Sequence, residues 1–338
     1  MFWPLSRLAD WAPFQLDALG LVTIFGAREM NVSVGSLAHS WVTDWLPILG
    51  SYAVANNEIV EPQPGFVLYN VTDGIMAIDL SSWFTRWLEL CLLTYSATTI
   101  ELKMNGRPTP ALRGWCALAI GCLAYGALLL LAVLAGDAWG IANVASLLVS
   151  VAVRQGMVAM LRRSIDKSIE GLGPDDDVKA FLTLPRGNAV TILGPRMLIV
   201  NCLLTNPRPL RPRIYYILRV LGWTAFGAHA ITLGMASLFT QILTVALLLV
   251  STYLTAMHVG ARSDAVGSRL WLSVDVGDPA WSRRFSYARL RMTKSEEDSM
   301  VLWGLMPHRS NTWWWSRYRD TEAARDESEK NHVEATAS

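Results

Sequence analysis

The sequence has few charged residues, few cysteines and almost no net charge. Asp, Glu, Lys and Arg make up 17% of the 338 residues, against about 25% in an average soluble domain. A net charge of +1 lacks the basic surface of a nucleic-acid-binding domain, so no nucleic-acid partner is expected. The four cysteines lie inside apolar runs, which excludes a disulfide scaffold and a CxxC zinc site. Apolar residues make up 52% of the chain, and this composition indicates a protein embedded in a lipid bilayer.

Several apolar runs are long enough to cross a membrane, which requires about 20 residues in a helix. Residues 115–136 contain no charge, and residues 139–158 follow after a turn at Asp137. Residues 215–257 are predicted to form a second transmembrane hairpin, and residues 83–100 form a weaker fifth candidate. We therefore predict an all-α polytopic membrane protein with about five transmembrane helices, in a range of about four to seven, and a small cytosolic α+β portion.

The distribution of Lys and Arg predicts a topology. Residues 29–85 contain neither, whereas residues 154–213 contain ten and the chain after Met257 contains twelve. The positive-inside rule then places 102–114, 154–214 and 258–338, with the C-terminus, in the cytosol and 29–82 outside it. Asn31 and Asn70 begin the two N-x-S/T sequons, and both lie in the outward segment. They are therefore predicted glycosylation sites.

The same patterns divide the chain into six regions. Residues 1–82 are predicted to be mostly lumenal or extracellular, with 15–27 or 37–54 as a possible additional span. Residues 83–160 hold the spans 83–100, 115–136 and 139–158, and 161–214 form a cytosolic β-rich loop. Residues 215–257 form the hairpin, 258–320 a cytosolic tail with amphipathic helices, and 321–338 a disordered polar tail.

Local patterns predict structure inside the polar regions. Residues 178–184, 189–193 and 197–204 alternate like three strands of a meander, separated by Arg-Gly-Asn and Gly-Pro turn signals. Thr293 and Glu296 fit a capping box that starts a helix. Asn311 can cap a second helix that begins with Trp313–Trp315. These tryptophans suit either the membrane interface or packing against the strands, and the pattern leaves both open.

Motifs of established chemistry are missing. The sequence has no P-loop, no HExxH and no GxSxG elbow, and its five histidines do not have metal-ligand spacing. The run Asp175–Asp177 follows glycines and a proline and is interpreted as a turn rather than a magnesium motif. We expect no metal and no cofactor.

Polar residues at membrane depth are the remaining candidates for function, because burying them in lipid is costly. Glu89 lies within the weaker span, Asp137 at the turn of the first hairpin, and His229 near the middle of a span. A carboxyl group in an apolar pocket can donate a proton to an alkene or epoxide. The alternatives are purely structural roles: an ion pair of Glu89 with Arg86, a turn role for Asp137 and an interhelical hydrogen bond for His229.

Several short segments carry a resemblance to a protein family: Trp139–Asn143, Val153–Arg154, Phe181–Pro185, Thr191–Arg196, Cys202–Thr205, Pro207–Pro209, Ser299–Val301, Ser310–Asn311 and Trp313–Trp314. Over roughly residues 112–320 the chain resembles multi-pass membrane proteins of filamentous fungi. The family includes membrane proteins of indole-diterpene (paxilline-type) biosynthetic clusters. The resemblance implies an endoplasmic-reticulum membrane protein of secondary metabolism and transfers no catalytic residue.

Three functions remain open at this point. The first is an accessory membrane protein that organises biosynthetic enzymes or lipophilic terpenoid intermediates at the bilayer. The second is a membrane-embedded terpenoid cyclase or isomerase, which requires Glu89 or Asp137 to be buried among helices. The third is a small transporter or channel subunit, which requires a polar track through the bundle; the uncharged runs 115–136 and 141–153 argue against such a track. The sequence does not decide whether the protein is an enzyme.

Overall fold

The computed structural model describes residues 26–91, 93, 98–104, 112–173, 175–185, 187–276 and 283–337, together with 7, 10–13 and 20. The predicted span at 15–27 lies almost entirely outside these residues. The described helices are α1 Ala27–Gly35, α2 Tyr52–Ala55, α3 Ser82–Leu90, α4 Leu112–Ala135, α5 Ala138–Ile169, α6 Arg196–Leu198, α7 Pro212–Met235, α8 Leu238–Ala256, α9 Arg283–Arg289, α10 Lys294–Leu302 and α11 Thr312–Ala337. A 3₁₀ turn covers Glu58–Val60, and a π-helical segment, Ile199–Leu204, continues α6.

The described strands form one eight-stranded sheet in the order β1-β7-β8-β4-β6-β5-β2-β3. All neighbouring pairs are antiparallel except β4 and β6, which are parallel. The strands are β1 Ala38–Ser40, β2 Val67–Asn70, β3 Ile75–Ala77, β4 Thr98–Met104, β5 Asp177–Thr183, β6 Ala189–Pro195, β7 Ala261–Val266 and β8 Leu270–Asp275.

Among the described residues, four helices are long and apolar enough to cross a membrane: α4 from Gly114, α5, α7 and α8. They form two hairpins, with turns at 136–137 and 236–237. The turns lie together, since the Asp137 carboxylate accepts a hydrogen bond from Ser237 N at 2.8 Å. We call this end of the bundle distal and the end nearest the sheet proximal.

Aromatic side chains mark both ends of the bundle. Trp115, Tyr216 and Tyr253 lie within one turn of the proximal helix ends and are 62–67% exposed. Trp139 lies at the distal start of α5 and is 46% exposed. Exposed aromatic rings at this spacing are typical of the two interfaces of a bilayer. The 20 residues from Tyr216 to Met235 rise about 29 Å from first to last, close to the thickness of the hydrocarbon core.

The sheet is buried on both faces at its strands β5 and β6. Ala180 and Leu182 of β5 contact one hydrophobic cluster together with α3, the C-terminal half of α5 and the π-helical segment. Phe181 points to the opposite face, where it packs with α9, α10 and α11. This alternation is the period of two expected of a strand. The apolar runs of β5 and β6 therefore reflect helices on both sides.

The all-α fold class is wrong. The chain combines four apolar helices with a large mixed sheet, and most strands come from outside the loop predicted to be β-rich: β1–β4, β7 and β8. These strands are short or lie next to turns, so their local patterns are weak. Each becomes stable by pairing with segments far away in the chain.

The predicted opposite placement of residues 29–82 and the basic segments is also wrong. In the sheet, β2 pairs with β5, with Leu68 opposite Leu182. In the same way β1 pairs with β7, with Ser40 opposite Ala261. Paired strands lie on one side of a bilayer, so 38–77, 177–195 and 261–275 share the proximal side.

Three smaller predictions also fail. The weaker span at 83–100 consists of α3, a buried helix of nine residues that rises only about 13 Å, followed by β4. The run 37–54 contains β1 and the short α2 rather than a span. The third strand of the meander, 197–204, is helical, whereas β5 and β6 lie where strands were predicted.

The C-terminal segment confirms one prediction, the capping box, and contradicts another, the disordered tail. The capping box of Thr293 and Glu296 is confirmed at the start of α10. Trp314 and Trp315 pack in the cluster on the outer face of the sheet, whereas Trp313 is 62% exposed. The predicted disordered tail after residue 320 continues helix α11 to Ala337. Its alanines, glutamates and arginines have high intrinsic helix propensity.

Candidate functional site

Asp137 joins the two transmembrane hairpins at the distal end. It is the N-cap of α5, and Oδ1 accepts a hydrogen bond from Gly140 N at 2.8 Å. Oδ2 accepts a hydrogen bond at 2.8 Å from the backbone N–H of Ser237, which is the N-cap residue of α8. The side chain is 8% exposed. Both carboxylate oxygens therefore hold backbone amides, which is a structural role.

We expect Asp137→Ala to lower the free energy of unfolding by about 1–3 kcal/mol. The substitution removes a helix cap and leaves Ser237 N without its acceptor at the turn. Thermal unfolding of the protein in detergent should show a melting temperature lower by several degrees. Asp79→Ala is the control, because Asp79 is exposed and its loss should change stability by at most about 0.5 kcal/mol. Equal melting temperatures for the two variants would contradict the role of Asp137.

His229 belongs to a hydrogen-bonded chain that crosses three helices. Its Nδ1 lies 2.6 Å from Asn143 Oδ1, and Asn143 Nδ2 donates to Thr244 Oγ1 at 3.1 Å. His229 is 3% exposed, and its Nε2 atom is buried without a partner. It borders a small cavity that Arg154 also lines. The interhelical hydrogen bond expected if His229 has a purely structural role is therefore present.

The structure does not bring the three predicted catalytic residues together. Asp137 lies at the distal turn, His229 lies within α7, and Glu89 lies on α3 beyond the proximal end. Glu89 is exposed. The cyclase alternative requires a carboxyl group buried among helices and free to donate a proton, and neither Glu89 nor Asp137 has this geometry.

Both sequon asparagines make hydrogen bonds inside the fold. Asn31 Oδ1 accepts from Arg86 Nε at 2.7 Å. Asn70 is 6% exposed, and its Nδ2 atom, which a glycan would modify, donates to Asp73 Oδ2 at 2.8 Å. Glycosylation of Asn70 would therefore require the β2–β3 hairpin to open.

A cleft of about 360 Å³ lies at the proximal end of α8. This is within the 300–1,000 Å³ typical of sites for small molecules. Most of its wall is apolar, and a few charged and polar groups border it. The apolar lining residues are Val32, Phe66, Leu88, Leu93, Leu184, Pro185 and Ala256; the polar ones are Arg28, Glu29, Ser33, Glu89, Asn188 and His258.

A second, smaller cavity of about 30 Å³ lies between the bundle and the sheet, and we call it the junction chamber. Ser33 and His258 line both the chamber and the cleft. Arg154 and Arg162 of α5 also line it and are 3% and 8% exposed. Asp44 is the carboxylate in its wall.

Backbone carbonyls hold the two arginines in place. Arg154 Nη2 donates to the carbonyls of Asp44 and Leu46, at 2.8 Å in the second case. Arg162 donates through Nε and Nη2 to the carbonyls of Leu37 and Ala38, at 2.8 and 2.6 Å. The segment 37–46 thus docks against α5 through its main chain.

Asp44 is ionised in this environment. Burial raises the pKa of its carboxyl group, but the Arg162 charge, the nearby His39 side chain and the hydrogen bond from Ser40 N together outweigh burial, so the pKa lies below its usual value. Its Oδ2 atom lies 3.7 Å from Arg162 Nη1 and 3.6 Å from His39 Nδ1. Both distances exceed those of a charge-assisted hydrogen bond.

Sequence reasoning did not predict the chamber. Asp44 and Arg154 are 110 residues apart, and no local pattern links them. Among the described residues, no group of three or more His, Cys, Asp or Glu side chains is placed to hold a metal ion. Burial raises the pKa of the Cys91 and Cys202 thiols to about 12, which makes them poor nucleophiles.

Comparison of the chain with protein-family models, curated proteins and solved structures found no match.

Proposed function

We propose that the chain is a multi-pass membrane protein of the endoplasmic reticulum that holds a lipophilic molecule at the membrane surface, as an accessory protein of fungal secondary metabolism. The observation that carries the binding role is the apolar cleft of about 360 Å³ at the proximal end of α8. A lipophilic terpenoid can reach such a cleft from the bilayer. The fungal pathway, including indole-diterpene biosynthesis, rests on the sequence resemblance alone.

The orientation that we propose follows from the shared sheet. Segments 154–213 and 258–338 hold 22 of the 29 Lys and Arg residues and lie with the rest of the sheet on the proximal side. The positive-inside rule then puts the whole sheet domain and the C-terminus in the cytosol. In this orientation Asn31 and Asn70 are cytosolic and carry no glycan. Membrane-bound biosynthetic enzymes are then accessible to the sheet domain.

Photo-crosslinking tests the binding role. The full chain in lipid nanodiscs is irradiated with geranylgeraniol that carries a diazirine, and labelled peptides are identified by mass spectrometry. We expect labels in 28–33, 88–93 and 184–188, which line the cleft. Val32→Trp should fill the cleft and reduce this labelling to background. Val220→Trp, at a 47% exposed position on the outer face of α7, should not.

Labels spread evenly over the outer faces of α4, α5, α7 and α8 would contradict the binding role. So would labelling that Val32→Trp leaves unchanged.

Metabolite profiling after deletion of the gene tests the pathway separately. A general decrease in flux supports an accessory role, whereas accumulation of one specific intermediate supports a cyclase. An unchanged profile rejects both, even if crosslinking succeeds.

A small transporter or channel subunit is the second candidate, because polar side chains lie buried inside the bundle beside its apolar core. The buried hydroxyl and amide groups of α8 include that of Thr244, which accepts a hydrogen bond from Asn143, although the uncharged helices predicted no polar track. These α8 residues are Thr240, Gln241, Thr244, Ser251 and Thr255. Liposomes loaded with chloride and monitored with a chloride electrode test this candidate. Release no faster than from protein-free liposomes rejects it.

A further inference from the structure

The junction chamber contains an imbalance of charge. Arg154 and Arg162 are both buried, and Asp44 is the carboxylate that acts on both of them in the described structure. Two guanidinium groups and one carboxylate leave one uncompensated positive charge. Such a charge is costly in a low-dielectric interior unless a counter-ion or further polar groups compensate it.

Asp44 does not neutralise either arginine closely. Its Oδ1 atom accepts a hydrogen bond from Ser40 N at 3.2 Å, and Oδ2 stands 3.7 Å from Arg162 Nη1. Both hydrogen bonds of Arg154 leave from Nη2, and those of Arg162 leave from Nε and Nη2. Nη1 of each arginine therefore makes no hydrogen bond in the described structure, and both arginines line the chamber.

The remaining wall of the chamber is suited to an anion rather than a cation. His258 Nδ1 is buried without a partner, and Thr43 contributes a hydroxyl group, whereas the hydroxyls of Ser33 and Ser40 already donate to the carbonyls of Thr255 and Val259. The wall therefore presents more hydrogen-bond donors and positive charges than its single carboxylate can balance.

The volume limits the size of the ligand. A cavity of about 30 Å³ holds about two water molecules, each needing about 10–15 Å³ by this measure. One halide ion fits the same space, whereas phosphate and larger carboxylic acids do not. We propose that the junction chamber binds a single small monovalent anion, of the size of chloride, between Arg154 and Arg162.

Bromide crystallography tests the site directly. Crystals of the full chain grown in sodium bromide should show an anomalous peak between the two guanidinium groups. A bromide-free chamber that holds only water would overturn the proposal.

Thermal unfolding provides a second, solution measurement. At constant ionic strength, replacing gluconate by chloride should raise the melting temperature of the wild-type chain saturably, by roughly 2–4 °C. Gluconate is too large for the chamber. Equal melting temperatures in the two salts would overturn the proposal.

Substitutions separate the site from general effects of salt. Asp44→Asn keeps the acceptor for Ser40 N and removes the opposing charge, so the half-saturating chloride concentration should decrease at least about tenfold. Arg162→Gln should abolish the chloride dependence. If Arg162→Gln does not fold, the Asp44→Asn result still decides, since an unchanged half-saturating concentration contradicts the proposal.

Arg219→Gln is the matched control. Arg219 also lies on an apolar helix and donates to backbone carbonyls, those of Ala55 and Asn56. It does not line the chamber. Its variant should retain the wild-type chloride dependence, and a loss equal to that of Arg162→Gln would overturn the assignment.

Discussion

Arg86→Ala is expected to lower the free energy of unfolding by about 3–5 kcal/mol. Arg86 is 1% exposed and forms the centre of the junction between α1, α3 and the 3₁₀ turn. Its Nε donates to Asn31 Oδ1 at 2.7 Å, and its Nη2 donates to Glu58 O at 2.7 Å. Its Nη1 donates to the carbonyls of Glu61 and Ser82, at 2.9 Å each. Alanine leaves these acceptors unpaired and opens a cavity.

The measurement is thermal unfolding in detergent, and the control is Arg269→Ala. Arg269 forms an exposed ion pair with Glu170, with side chains 47% and 61% exposed, and such pairs contribute at most about 1 kcal/mol. We expect Arg86→Ala to lower the melting temperature by roughly 4–7 °C, several degrees more than this control. Similar melting temperatures for the two variants would contradict the central position of Arg86.

Gly35 lies against the Arg86 side chain and provides an independent check of the role of Arg86. A Cβ atom at this position would lie 2.4 Å from Arg86 Cδ, so Gly35→Ala must displace the arginine. We expect it to destabilise the protein in the same direction as Arg86→Ala. The glycine is required here because the arginine side chain passes directly over it.

Local patterns in the sequence identified the features that depend on local physics. The uncharged runs that form α4 and α5 are helices of sufficient length and hydropathy to span. The alternation over 178–193 became β5 and β6, and Thr293 and Glu296 form their capping box. Each of these depends on residues within a few positions of one another.

Local sequence patterns could not predict which distant segments pair in the sheet. The contacts of β1 with β7 and of β2 with β5 join segments more than 100 residues apart. No periodicity in either segment specifies its partner. The junction chamber is missing from the sequence reasoning for the same reason.

The topology prediction failed because opposite charges were assigned to opposite sides of the membrane. In the structure two acids of 29–82, Asp44 and Asp73, lie against arginines of the basic segments. Asp73 accepts two hydrogen bonds from Arg196, at 3.0 and 2.8 Å, which hold the pKa of its carboxyl group below the usual value. Asp44 faces Arg162. The charge asymmetry thus describes complementary surfaces of one domain.

The shared sheet is the central claim of this structure, and cysteine labelling tests it most directly. Single cysteines are introduced at Asp79, Asp176 and Ala138, all exposed positions, in a background without the four natural cysteines. Sealed membrane vesicles are treated with a membrane-impermeant maleimide, before and after permeabilisation, and the labelled fraction is measured by gel shift. We predict that positions 79 and 176 are labelled under the same condition and position 138 under the opposite one. Labelling of positions 79 and 176 from opposite sides of the membrane would contradict the fold.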